Sequence, residues 1–251
     1  MTPTVNSASV IGLRAYVDPS VVPTLVLVDL QKEYIAAPRV LALPYAPQAL
    51  ANCRIALTHA RTKGFPVAFV RWLGRSALFN RATPFSGWIE GFEPTGADMV
   101  FERDRPSCYS SLSFGELMSD SGSSFVLAGF AGESACLATA IDAFHREHRI
   151  TYLDDASASH TLDEIAAPDV HRVVSKVLGL YAEAGLFNAL YMNLIDCSAA
   201  MPPIARRYRA LPTFSVRLKR RMLAANERIL ANTPGFLRIR EASSAKLQSR
   251  M

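Results

Sequence analysis

Short apolar runs alternate with longer amphipathic stretches along most of the chain. Thr24–Leu30 (TLVLVDL) follows a proline and is almost wholly apolar, the pattern of a strand buried on both faces. Residues 46–62 carry helical spacing and end at Lys63-Gly64, a helix stop. Pro66–Trp72, the shorter Met99–Glu102 and Ser124–Phe130 read as further strands. A helix is predicted over Ser134–His148. Ile150–Leu153 reads as a strand ending at Asp154-Asp155, and a last helix is predicted over Ala167–Ala184. Repeated strand–helix units of this length predict a parallel sheet with helices on both faces. Acidic and small polar residues recur where strands end, at Asp29, at Gly129–Glu133 and at Asp154-Asp155, and open parallel sheets place their ligand crevice at that edge. Residues 73–98 are rich in glycine and proline and are expected to form a flap, with Trp72, Phe79, Trp88 and Phe92 as a candidate aromatic lining.

Composition narrows the class. Of 251 residues, half are hydrophobic and 20% charged, which excludes an intrinsically disordered chain. No apolar run reaches the roughly 18 to 20 residues of a membrane span. The first 20 residues lack the pattern of a signal peptide. Four cysteines without CxxC spacing suggest reduced thiols, so a cytoplasmic protein is expected. The net charge of +5 hides an asymmetry: residues 201–251 carry 12 Lys/Arg against 2 Asp/Glu, leaving 15 against 20 in residues 1–200. The organisation expected is one domain over 1–200 and a basic helical extension over 201–251. In the extension Phe214, Leu218, Met222, Ala225 and Ile229 recur at helical spacing, opposite Arg217, Arg220, Arg221 and Arg228. This tail is expected to pack on its own domain or a neighbouring subunit, with an anionic surface as the alternative partner.

Three segments carry candidate chemistry. Asp29 at its strand end is either a turn cap or a general acid/base whose pKa is set by partial desolvation. Arg103 and Arg105, in the charged run Glu102–Tyr109, could pair with Asp29 or hold a substrate carboxylate. Gly129–Ala140 runs from a strand through a small-residue turn into a helix. Its amides near Phe130 and Ala131 could stabilise an oxyanion, and a thiol at Cys136 is either activated there or simply buried.

Together these segments resemble the isochorismatase-like hydrolases, a family that includes nicotinamidases and N-carbamoylsarcosine amidases. The resemblance rests on Asp29 in "DLQ", on a basic residue four before Ser107-Cys108-Tyr109, and on Gly129, Thr139-Ala140 and Asp142-Ala143. It extends over Thr24–Ala184 to the Asp154–Ser159 loop and His171. It implies a three-layer Rossmann-like α/β fold with a mostly parallel sheet, a small-molecule substrate, a homo-oligomer and no cofactor. In the family's thiol hydrolases an Asp is the base, a Lys orients the site, a Cys attacks, and amides around a cis peptide bind the oxyanion. Here Asp29 matches, Arg103 stands at the Lys position, and a gapless register puts Ala135 at the nucleophile, with Cys136 one residue late. Three readings follow. One is thiol-free hydrolysis of a carbonyl, amide or enol-ether substrate driven by Asp29, as in isochorismatases. The second is a remodelled turn that lets Cys136 attack. The third is a catalytically degenerate binding or interaction protein.

Two other chemistries fit less well. Gly132–Cys136 imitates a serine-hydrolase elbow, with Asp154 and His160 or His171 following in serine-hydrolase order, but its last glycine is replaced. No metal site is expected, because no histidine lies between the second and fourth strands, and His145 and His148 read as a solvated helix face.

Overall fold

The computed structural model describes residues 22–74 and 77–185; the basic segment 201–251 lies outside the described residues. Six strands form one parallel sheet: β1 (Thr24–Val28), β2 (Val67–Trp72), β3 (Met99–Arg103), β4 (Ser124–Phe130), β5 (Arg149–Ala158) and β6 (Glu183–Gly185). Their order across the sheet is β3-β2-β1-β4-β5-β6. The chain runs outward from β1 to β3, then crosses back to β4 on the other side of β1. That reversal puts a switch point at the carboxyl ends of β1 and β4, where an open α/β sheet forms its crevice. Asp29 and Gly129 stand on either side of it.

The centre of the sheet is buried on both faces, which explains why β1 and β4 read as unbroken apolar runs. One face presents Leu25, Leu27, Phe69, Val126 and Ala128 to helix α1 (Ala46–Lys63). Small residues at Ala46, Ala49, Cys53, Ala56 and Ala60 let α1 approach the sheet closely, and Gly64, left-handed at φ 72°, ends it. Toward the other face, helix α2 (Leu112–Asp120) sets Phe114 edge-on against Phe101 and Phe125, at ring-centroid distances of 5.5 and 6.0 Å. Helices α3 (Leu137–His145) and α4 (Ala167–Leu178) complete the layers. No helix among the described residues is long and apolar enough to cross a membrane.

Several elements differ from the sequence reading. Strand β5 does not stop at Leu153 but continues through Asp154-Asp155 to Ala158, and its pairing with β4 shifts register between Leu127 and Gly129. The helix expected from Ser134 begins instead as a wide five-residue turn, Gly132–Cys136, in which the Cys136 amide donates to the Ala131 carbonyl at 3.2 Å. The last helix ends at Leu178, because the chain turns back to supply β6. His148 is not on a solvated helix face. It lies beyond the end of α3, 5% exposed, and its Nδ1 meets the Tyr109 hydroxyl at 2.7 Å.

Candidate functional site

Asp29 follows β1 directly and adopts a left-handed conformation, φ 51°, which aspartate tolerates better than most residues. Its amide donates to the Val70 carbonyl of β2 at 2.8 Å, so the turn stays tied to the sheet while the carboxylate is re-aimed. Gln31 secures the next step. Fully buried, it accepts from the Trp72 amide at 2.9 Å and donates to the carbonyls of Trp72 (3.0 Å) and Ser86 (2.8 Å).

The last residue of β3, Arg103, reaches across the end of β2 to that carboxylate. Its Nε donates to Asp29 Oδ1 at 3.3 Å, and its Nη2 donates to Oδ2. Nη1 donates to the carbonyl of Arg105. Both side chains of the pair have 0% exposure. The Trp72 ring lies 4.4 Å from the guanidinium carbon. Phe79 stacks on Trp72 at 5.8 Å and packs at a tilt on Tyr34 at 5.4 Å. Tyr34 also packs on Phe130 at 5.7 Å, and its hydroxyl donates to Asp29 Oδ2 at 3.4 Å. An arch of three aromatic rings thus closes over an ion pair.

Burial raises the Asp29 carboxyl above the ordinary carboxylate value, against the opposing pull of Arg103. Burial also works against the charged guanidinium, but the charge of Asp29 and its hydrogen bonds, with smaller contributions from Cys108 and Tyr34, together offset it, and Arg103 stays cationic. The carboxyl therefore holds a proton more readily than a solvated aspartate, next to a fixed positive charge.

Beside this pair the Gly129–Cys136 turn closes the crevice. The peptide bond between Phe130 and Ala131 is cis. Gly129 has φ +116°, and a Cβ there would sit 2.1 Å from the Val28 carbonyl oxygen, so only glycine lets β4 pass β1 this closely. Ala135 is fully buried. The Cys136 thiol is turned to the Gly129 carbonyl (3.7 Å) and the Ser157 hydroxyl (3.9 Å), and burial pushes it far above the ordinary thiol range. Cys108 and Cys53 are buried too, each pushed up to about 12 by burial. None of the three is in the thiolate state that attack requires.

The observation that decides the family is the match of one family model, described as the isochorismatase domain, to residues 23–174. This chain belongs to the isochorismatase family. Among solved structures it is similar to an isochorismatase from Pseudomonas putida KT2440, with 29% identity and a TM-score of 0.65 over 69% of this chain and 92% of that one. It is also similar to a cysteine hydrolase from Pseudomonas syringae pv. phaseolicola (18%, TM-score 0.67, 76% and 100%). A third similar structure is an isochorismatase family protein from Desulfovibrio vulgaris (19%, 0.60, 69% and 98%). A comparison with curated proteins finds no match.

Of the residues singled out from the sequence of this family member, Asp29, Arg103, Phe130, Ala131, Ala135 and Cys136 come together at the switch point. Arg105 contributes its backbone carbonyl, while the residue itself is exposed. His171 lies away from Asp29. Its Nε2 donates to the Asp154 carbonyl at 2.8 Å and its Nδ1 meets Ser159 Oγ at 3.1 Å, in a separate cleft between α1, β5 and α4. The sequence reading missed Tyr34, named Glu133 only within the Gly129–Glu133 strand end, and weighed His160 only as a serine-hydrolase partner. Tyr34 carried a faint signal, lying five residues past Asp29 and so about one turn away. The contacts of His160 carried none, because they span 27 and 119 positions.

Proposed function

We propose that this isochorismatase-family hydrolase acts on a small carbonyl, amide or enol-ether substrate with Asp29 as the acid/base and without a thiol nucleophile. The observation that carries this reading is the buried Asp29–Arg103 pair at the switch point, beside a turn whose Cys136 thiol is fully buried and pushed up out of the reactive range by burial. With an enol ether, Asp29 would deliver its proton to the vinyl carbon, and the resulting oxocarbenium would be captured by water. The hemiketal so formed would then break to a ketone and an alcohol, with the proton returned to Asp29. With an amide, the same carboxylate would take a proton from the attacking water while amides around Phe130-Ala131 receive the developing oxyanion. Collapse of that intermediate would break the C–N bond as Asp29 returns the proton to the leaving amine. Arg103 fixes the orientation of the carboxyl in either case. An open cleft of about 930 Å³ borders Arg103, lined by Asn80, Arg81, Asp104 and Ser110 among others, and its size suits a small molecule.

A second reading is favoured by a specific observation: the pair has no exposed surface. On that reading Asp29 and Arg103 only hold the sheet edge together, and the chain binds a small molecule without turning it over. The two are separated by assaying amides, ureides and enol ethers for turnover with wild type and Asp29→Asn, beside ligand-induced thermal shifts on the same panel. Turnover that falls by about 100-fold or more in Asp29→Asn supports the hydrolase. Thermal shifts with no turnover favour the binding protein.

A further inference from the structure

His160 sits in the loop after β5 and makes two contacts of one kind. Its Nδ1 meets Glu133 Oε1 at 2.5 Å, and its Nε2 meets the carbonyl oxygen of Leu41 at 3.1 Å. A carbonyl oxygen only accepts hydrogen bonds, and so does an ionised carboxylate. Both ring nitrogens must therefore donate, which a neutral imidazole cannot do. The geometry is that of an imidazolium.

Each contact ties down a different part of the roof over Asp29. Glu133 belongs to the Gly132–Cys136 turn. Leu41 belongs to the segment 32–45, which also carries Tyr34 in a short 3-10 turn. Within that segment the Leu43 amide donates to the Tyr34 carbonyl at 2.8 Å, so Leu41 and Tyr34 are parts of one folded loop. The Tyr34 ring lies 6.0 Å from the His160 ring, and its hydroxyl reaches Asp29.

We propose that His160, as an imidazolium, is the latch that holds the 32–45 segment closed over Asp29, and that the roof opens when this ring loses its proton. Neutral His160 keeps one of its two contacts at most; its single N–H goes to the stronger acceptor, the Glu133 carboxylate, so the Leu41 attachment is lost. Tyr34 is then free to move with its loop, and Asp29 and Arg103 become open to solvent and ligand. The inference goes beyond the proposed reaction and holds whether Asp29 catalyses or only binds.

The charged groups around the latch set its range. Glu133 faces His160 from the turn, Tyr34 from the short helix, and Asp163 and Glu164 on the histidine's own loop are exposed. On the roof segment Glu33 is already held by Arg39 at 2.6 Å. Burial disfavours the charged ring, but the bond to Glu133, the Glu133 charge and the Leu41 carbonyl together outweigh it and raise His160 above the ordinary 6.5. Burial likewise works against the Glu133 carboxylate, and His160 holds it below the ordinary 4.5. A raised histidine stabilises the closed form fully below its unfolded value, and that contribution is lost as pH rises through its folded value. The latch is thus shut near pH 6 and opens on the alkaline side.

The test is amide hydrogen exchange, read by mass spectrometry on the full chain at a series of pH values from pH 6 to pH 9. Each rate is corrected for the intrinsic effect of pH. In wild type, peptides covering 32–45 should exchange faster at pH 9 by a corrected factor on the order of ten for each unit by which His160 is raised. Peptides from β1 and β4 should not change. His160→Gln should remove the pH dependence, and Glu133→Gln should move it to lower pH. Corrected wild-type exchange that is flat across the series would overturn the latch, as would the same change persisting in His160→Gln. If His160→Gln fails to fold, the shift expected in Glu133→Gln decides alone, and an unshifted profile there overturns the proposal.

Discussion

Removing either member of the Asp29–Arg103 pair is the perturbation whose size the structure fixes best. Both side chains have 0% exposure, so neither can turn to water when its partner is lost. Arg103→Met takes away two hydrogen bonds to the carboxylate and leaves Tyr34, at 3.4 Å, as a weak remaining side-chain donor. It also removes the cation over Trp72 and the bond to the Arg105 carbonyl. Breaking a buried pair from one side costs about 3–5 kcal/mol. Asp29→Asn should cost a similar amount, because asparagine tolerates the left-handed backbone and the loss is mainly that of the charge facing Arg103. The double variant Asp29→Asn/Arg103→Met should lie far closer to wild type than the sum of the two, since no uncompensated charge remains.

The sign with pH follows. Asp29 is already raised by burial, and without Arg103 it rises further, because the opposing charge is gone. A group raised in the folded state costs stability as pH climbs past its unfolded value. Arg103→Met should therefore lose stability relative to wild type from about pH 4 toward pH 8. Urea unfolding of the four proteins at pH 5 and pH 8 measures both effects. Single variants that each cost less than about 1 kcal/mol, with additive energies, would refute the reasoning, for that is the behaviour of a solvent-exposed pair.

Two further outcomes follow from the same geometry. Cys53, Cys108 and Cys136 are fully buried and none is activated, so a thiol reagent should leave all three unmodified in the folded protein and label them only in denaturant; rapid labelling of Cys136 in the native state would contradict its placement. Gly129→Ala brings a Cβ within 2.1 Å of the Val28 carbonyl oxygen at φ +116°, and should cost on the order of 3 kcal/mol or more, read as a lower urea midpoint or loss of soluble protein.

The parallel sheet was legible because its central strands are buried on both faces and so read as short apolar runs bounded by glycine, proline and charge. Asp29 was legible as an acid closing such a run, and Arg103 as a cation at the end of a neighbouring strand. That they pair with each other, one of two partners the sequence allowed Arg103, depended on β3 lying two strands from β1. The length of β5 was hidden because Asp154 and Asp155 resemble a strand end, whereas β5 carries both within its span. Helix α2 was missed: its nine residues bury only Phe114 and Met118, too short a pattern to stand out among loops. The roof was legible only in part. Trp72 and Phe79 stood among the candidate lining aromatics, but Tyr34 reaches Phe79 and His160 only because loops converge, and no local periodicity records a contact made across the fold.

The central claim is that Asp29, and not a thiol, carries the chemistry at the switch point. Its most direct test is kcat for Cys136→Ala beside Asp29→Asn, on whichever substrate of the panel wild type turns over. The account predicts that Cys136→Ala keeps kcat within about twofold while Asp29→Asn loses about 100-fold or more. A comparable loss in Cys136→Ala, in protein shown to be folded, would contradict it and return the thiol to the mechanism.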